Sequence, residues 1–446
     1  MQKNNTWILE ITFQDSYLGM SLYGRERELP LKTISTVPFD FSRIERLNSE
    51  IVNIINRASR RRLLDENSVV ELKKNAGLLY DMLLSRQIKF RLSSLEAVNL
   101  ILSLDESLIG IPWELLFDGK DFLCLKFNLG RNIHTQKSEI QPRYRSIPAK
   151  PKMLILANPT GDLKSAYQEG LHIKTSLTKK GKISVDFKAQ DIDSDYVRKN
   201  LRDYDIIHFA GHCEYDSKNP RESGWVLSDG WISAREFLAL GENAALPSIV
   251  FANACESARA TDNILDAHAQ IDVYGLAQAF LFAGVRHYIG TFWRIEDNFS
   301  WEFAEEFYNQ VASSRSIGEA VRLARQRLIG KHGISAIAWA GYVLYGDPAF
   351  SLFGPPSART GLARRKLKYR LPATVRKKAV VLGLASVIII AGFALTKLLP
   401  TFNPDTFHLF SKANKLYDKG SNPQAIELLN QITKQDSLYL PAWRLK

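Results

Sequence analysis

Four side chains able to do chemistry fall in two short stretches. IIHFAGHCEY (residues 206–215) carries His208, His212 and Cys213, and SIVFANACES (residues 248–257) carries Cys255. In each, a short β-branched apolar run leads directly into the reactive group. That is the pattern of a buried strand ending at a functional loop, where α/β folds collect their sites. Between His212 and Cys255 there is room for a helix and a crossover, so the two strands can be neighbours whose ends face each other. A thiol meeting an imidazole there makes a nucleophile and a general base. The imidazole favours the thiolate, which attacks a carbonyl, and the imidazolium then protonates the leaving amine. A thiol ionises far more readily than a serine hydroxyl, so the pair needs no third residue. The same residue types have other uses. A buried cysteine is commonly an inert small hydrophobe, and a histidine a hydrogen-bonded structural residue. All four are also metal-ligand types. No CxxC or HExxH spacing is present, and no metal or other cofactor is expected.

The elements that position these groups read as two stretches of mixed α/β structure. In residues 1–145, TWILEITF alternates like a strand, and SRIERLNSEIVNIINRASRRRLL and SVVELKKNAGLLYDMLL have helical spacing. QPRYRSIPAKPK (141–152) is Pro-rich and basic and reads as a linker. From 152 to 354 the short runs MLILANP, ISVDFKA, DIIHFAG, SIVFANAC and VRHYIGTFW alternate with helix-patterned segments. That rhythm predicts βαβ units and a mostly parallel sheet covered by helices on both faces. The expected fold class is therefore α/β.

Five motifs occur in order: IPWELLFDG (111–119), HFAGH (208–212), WVLSDGWIS (225–233), NACES (253–257) and GTFWRIED (290–297). Together they resemble the CHAT domains, caspase-like peptidases often found with tetratricopeptide repeats, and the resemblance covers most of residues 90–354. It implies a caspase–hemoglobinase fold, His212 as acid/base, Cys255 as nucleophile and a protein substrate. His208 matches the family's other histidine, which is structural. The backbone N–H groups of Cys213 and Cys255 would hold the oxyanion. The family usually has glycine where Cys213 stands. A side chain there would crowd the substrate or disfavour a positive φ, and would add a second oxidisable thiol. Trp293, Arg294, Glu296 and Asp297 resemble the caspase strand lining the substrate cleft. Arg294 would favour an acidic residue before the scissile bond, and Glu296 and Asp297 a basic one.

Composition sets the surroundings. The 446 residues are 45% hydrophobic and 24% charged, with three cysteines (Cys124, Cys213 and Cys255) and a net charge of +12. So few cysteines argue for a reducing compartment. MQKNNTWILE lacks an apolar core segment, so no cleavable signal peptide is expected. The positive charge concentrates in RRKLKYRLPATVRKK within a basic linker (355–378), directly before AVVLGLASVIIIAGFALTKLL (379–399). That run is long enough to span a bilayer core and lacks amphipathic periodicity. The basic residues before it predict a single pass through the plasma (inner) membrane, with residues 1–354 cytoplasmic and the C-terminus outside. Nucleic-acid binding needs basic residues interleaved with aromatics on one face. Arg57, Arg60, Arg61 and Arg62 read instead as a solvated helix face, so no nucleic acid is expected. Residues 405–446 hold two helical patterns joined by GSNP. They match one tetratricopeptide repeat at Leu416, Tyr417, Gly420 and Ala425. One repeat cannot bury its own face, so this pair is a candidate docking site for a protein partner. The function expected is a membrane-anchored cysteine endopeptidase in a regulated signalling or defence role. A catalytically degenerate membrane-tethered scaffold is the alternative.

Overall fold

A computed structural model describes residues 6–25, 33–61, 63–95, 99–134, 144–214, 216, 219, 221–254, 276–292, 297–353, 409, 412–413 and 422–435. The chain forms two compact units, Met1–Ala363 and Arg364–Lys446.

In the first unit the alternating N-terminal run forms β1 (Thr6–Gln14), which buries Trp7, Leu9 and Ile11. Asp15 and Ser16, at φ 49° and 68°, turn it into the antiparallel β2 (Tyr17–Gly24). Two positive φ values match the right-handed twist of a tight hairpin. β3 (Thr33–Pro38) adds the edge strand. The two helical patterns become α1 (Phe41–Arg61) and α2 (Glu66–Leu83), the latter capped by the Asp65 carboxylate on Ser68 N–H. A shorter α3 (Arg86–Ser93) follows. β4 (Asn99–Asp105) and β5 (Asn128–His134), with a short α4 (Leu123–Lys126) before β5, complete this half.

The βαβ rhythm appears next as β6 (Lys152–Ala157), α5 (Lys164–Lys180), β7 (Ser184–Ala189), α6 (Ser194–Asn200) and β8 (Ile206–Ala210). Three short strands then form a separate antiparallel sheet: β9 (Cys213–Glu214), β10 (Gly224–Leu227) and β11 (Gly230–Ser233). α7 (Ala234–Asn243) leads to β12 (Ile249–Asn253). A helical stretch at 276–282 leads to β13 (His287–Thr291). α8 (Asp297–Ala312), α9 (Ile317–His332) and β14 (Tyr342–Tyr345) close the unit.

Eleven strands form one sheet in the order β3-β2-β1-β4-β5-β14-β13-β12-β8-β6-β7. It is mostly parallel; β1–β2, β2–β3 and β13–β14 are the antiparallel pairs. The two α/β stretches thus share one sheet, joined where Tyr345 of β14 pairs with Arg131 of β5. Helices cover both faces, as expected for a parallel sheet. Alternation along β8 shows the division. His208 faces α5 and α8, while Phe209 points the other way and stacks on Trp225 at 4.2 Å. Trp225 in turn contacts Phe237 of α7 and Phe280 of the 276–282 helix.

In the second unit α10 (Asn422–Gln435) buries Ala425, Leu429 and Ile432. Leu429 and Ile432 cluster with Leu409 and Ala413; most of the first helical pattern of 405–446 lies outside the described residues. The run 379–399 and the whole basic linker (355–378) lie outside the described residues, and among the described residues no helix is long and apolar enough to cross a membrane.

Candidate active site

The site is set by strand register. β6, β8 and β12 are parallel neighbours, and Ala157, Ala210 and Asn253 are register partners at their carboxyl ends. His212 lies two residues beyond Ala210, and Cys255 two residues beyond Asn253. Gly211 ties the two ends together, its N–H donating to Asn253 O at 3.2 Å. A Cβ on Gly211 would sit 2.9 Å from Pro159 Cδ and 2.9 Å from the Phe209 ring, so the loops after β6 and β8 close only around glycine.

His212 is partly exposed and its Nε2 lies 2.9 Å from Asp162 Oδ2. Asp162 belongs to the NPTGD turn after β6, and its carboxyl is held below the usual carboxylate range. The Thr160 hydroxyl bonded to it is the larger cause, followed by the His212 hydrogen bond. A carboxylate can only accept, so His212 donates through Nε2–H.

Cys213 departs from the sequence expectation. Its thiol is 1% exposed and belongs to the hydrophobic core beside Tyr288, so it neither crowds a substrate nor offers an oxidisable group. Its φ is not positive, and it sits in extended β9 opposite Trp225. Val226 N–H donates to His212 O at 3.0 Å, which makes Cys213–Trp225 a non-hydrogen-bonded pair. In such a pair the N–H points away from the partner strand, here away from β10.

His208 is fully buried and its ring nitrogens meet Glu169 Oε1 at 2.8 Å and Tyr308 Oη at 3.2 Å. Glu169, on α5, also accepts from Asn253 Nδ2 at 2.6 Å and Ser300 Oγ at 2.9 Å. Burial, and then the Glu169 charge, push the Tyr308 hydroxyl well above its usual range. This buried network links β8 and β12 to α5 and α8 directly behind the strand ends. With both ring nitrogens engaged, His208 has no lone pair directed at a metal. Among the described residues no cluster of three or more His, Cys, Asp and Glu side chains fits a metal ion.

Two of the other motifs, IPWELLFDG and WVLSDGWIS, act as scaffolding. Glu114 of IPWELLFDG is buried in a bidentate ion pair with Arg131 of β5, whose guanidinium also donates to Ile109 O and Ile111 O. The same guanidinium lies 4.8 Å from the Phe292 ring centroid, just before Trp293. WVLSDGWIS is the β10–β11 hairpin. Its Asp229 accepts from Ser194 N–H and Oγ–H, and Ser233 forms a capping box with Glu236. Arg57 is exposed and lies 3.8 Å from Glu71, as a solvated helix face predicts. Cys255, Trp293, Arg294 and Glu296 lie outside the described residues; Asp297 opens α8, with its side chain outside them.

Two groups at these strand ends, Glu169 beside His208 and Asp162 beside His212, were not read from sequence. Glu169 left a signal, a carboxylate within the buried stripe Ala166, Gly170, Ile173 and Leu177 of α5. Asp162 left only its place after a strand, which means nothing until the strand order is known.

An open, mostly parallel sheet with a histidine and a carboxylate meeting at its strand ends is the class defined so far. The CHAT domain family matches residues 73–347, more than half of the chain, and the chain belongs to that family. No curated protein matches. Among solved structures, the chain resembles two crystal structures of the Saccharomyces cerevisiae separase–securin complex, at TM-scores of 0.48 and 0.44 and 14% identity. The similarity covers 77% of this chain and 30% of the solved chains.

Proposed function

We propose that this CHAT protein is a membrane-anchored cysteine endopeptidase with Cys255 as nucleophile and His212 as general acid and base. The observation that carries this reading is the register match of Ala210 and Asn253, each two residues before one of the two groups. His212 accepts the Cys255 thiol proton, and the thiolate forms a C–S bond to the substrate carbonyl carbon. Backbone N–H groups of Cys213 and Cys255 receive the developing oxyanion. The C–N bond breaks as His212 returns its proton to the leaving amine. Water then attacks the thioester, losing a proton to His212, and the thiol is restored when the C–S bond breaks. Trp293, Arg294, Glu296 and Asp297 follow β13, the strand beside β12, and are the candidates to line the substrate cleft.

The apolar run 379–399 after a basic linker supports a single pass with residues 1–354 in the cytoplasm. The packing of α10 on Leu409 and Ala413 supports a repeat-like helical pair, and that pair is the candidate to meet a protein partner outside. The test is cleavage of a peptide library by the full chain and by Cys255→Ala and His212→Ala. Each substitution should abolish cleavage with the fold intact. Near-full activity in Cys255→Ala would overturn the nucleophile assignment.

A further inference from the structure

We propose that Asp162 is a positioning residue for His212, fixing the ring through Nε2–H so that Nδ1 exchanges the proton with the nucleophilic thiol. The inference rests on the reading of His212 as acid and base.

Isolated ion pairs at a surface contribute little, because both side chains must give up freedom to meet. Asp162 is 61% exposed, so its carboxylate matters only if something else holds it. The NPTGD turn does so. Asn158 adopts φ 51° and its Oδ1 accepts from Leu163 N–H at 2.7 Å, closing the turn on itself. Gly161, at φ 83°, donates its N–H to Asn158 O at 3.1 Å. Asn158 N–H donates to Ala210 O at 2.8 Å, which binds the turn to the strand that carries His212. Pro159 lies against Gly211, the residue between that strand and His212. Thr160 Oγ1–H then donates to Asp162 Oδ1, leaving Oδ2 for the imidazole. Every link joins the carboxylate to the same few residues that set the ring.

Capping of α5 does not explain this arrangement. The N-cap of that helix is Leu163, with no side-chain cap bond, and the Asp162 carboxylate bonds Thr160 and His212 instead. The chemical consequence is direct. Nε2 is a committed donor, so Nδ1 is the nitrogen with a lone pair, and it is the base. When Nδ1 takes the thiol proton, the ring becomes a cation facing a carboxylate, which favours the thiolate–imidazolium pair.

The experiment uses the full chain with iodoacetamide, which needs no knowledge of the substrate. The alkylation rate of Cys255 is followed at neutral pH by mass spectrometry of its peptide; Cys124 and Cys213 are buried and serve as unreactive internal references. Positioned acid–base groups are worth roughly 100- to 10,000-fold, and an orienting partner governs part of that, so about a tenfold loss is expected on Asp162→Ala. The kcat for the best library peptide should fall alongside, with KM and thermal midpoint unchanged. Asp162→Asn should also lose rate, and Thr160→Val should show a smaller loss in the same direction. Wild-type alkylation in Asp162→Ala, or a loss that appears only with a lowered thermal midpoint, would overturn the proposal. His212→Ala separates the two claims. If it leaves Cys255 alkylation unchanged, the acid–base reading itself fails. If it slows alkylation while Asp162→Ala does not, only the positioning role fails.

Discussion

Replacing Glu169 by alanine should cost the first compact unit more stability than removing most apolar side chains of the same helix. Glu169 is 2% exposed and accepts hydrogen bonds from His208, Asn253 and Ser300 at 2.8, 2.6 and 2.9 Å. A hydrogen bond to a charged group is worth about 1.5–3 kcal/mol net, and each buried donor left without a partner costs about 1–3 kcal/mol. These terms share one carboxylate and are not additive. The measured range for removing one partner of a buried pair, about 3–5 kcal/mol, is the better guide. A loss of about 4 kcal/mol is a large fraction of the roughly 5–15 kcal/mol that holds a domain folded. At roughly 2 °C per kcal/mol for a large domain, the thermal midpoint should fall by about 8 °C. Glu169→Gln retains one carbonyl acceptor and should lose less than half of that. Differential scanning calorimetry of the first unit's transition is the assay. A shift under about 1 °C for Glu169→Ala would refute the reasoning, because three stranded donors cannot be that cheap in a sealed interior.

Cys213→Gly restores the residue more usual in the family, yet it removes a buried thiol and adds backbone freedom to a strand. We expect cleavage at the wild-type level together with a stability loss of about 1–2 kcal/mol, read by urea titration. A loss of cleavage matching Cys255→Ala would instead make Cys213 the reacting thiol. The charge asymmetry around 379–399 predicts that, in sealed inside-in vesicles, a C-terminal tag is digested by added protease while residues 1–354 are protected. Both on one side would refute the single-pass topology.

Residue type and local pattern carried much of this protein. The alternation of TWILEITF, the helical spacing of α1, α2, α5, α8 and α9, and the repeated strand–helix rhythm all appear as read, because periodicity follows directly from which face is buried. The same signal failed for β4. NLILSLD is covered on both faces and so has no alternation to read. The short β9–β11 sheet was missed because strands of two to four residues carry too little pattern. His212 and Cys255 stood out because few residue types do their chemistry. Tertiary structure decided everything that depends on strand order. Only the β6–β8–β12 adjacency brings Asp162, fifty residues earlier in the chain, to the Nε2 of His212. Only the facing of β8 sends His208 into a sealed network while the thiol of Cys213 turns into the core. A sequence states which groups are present and which way each element alternates. Which element lies beside which is set by the packing of the whole sheet, a sum over many distant contacts that no local window contains.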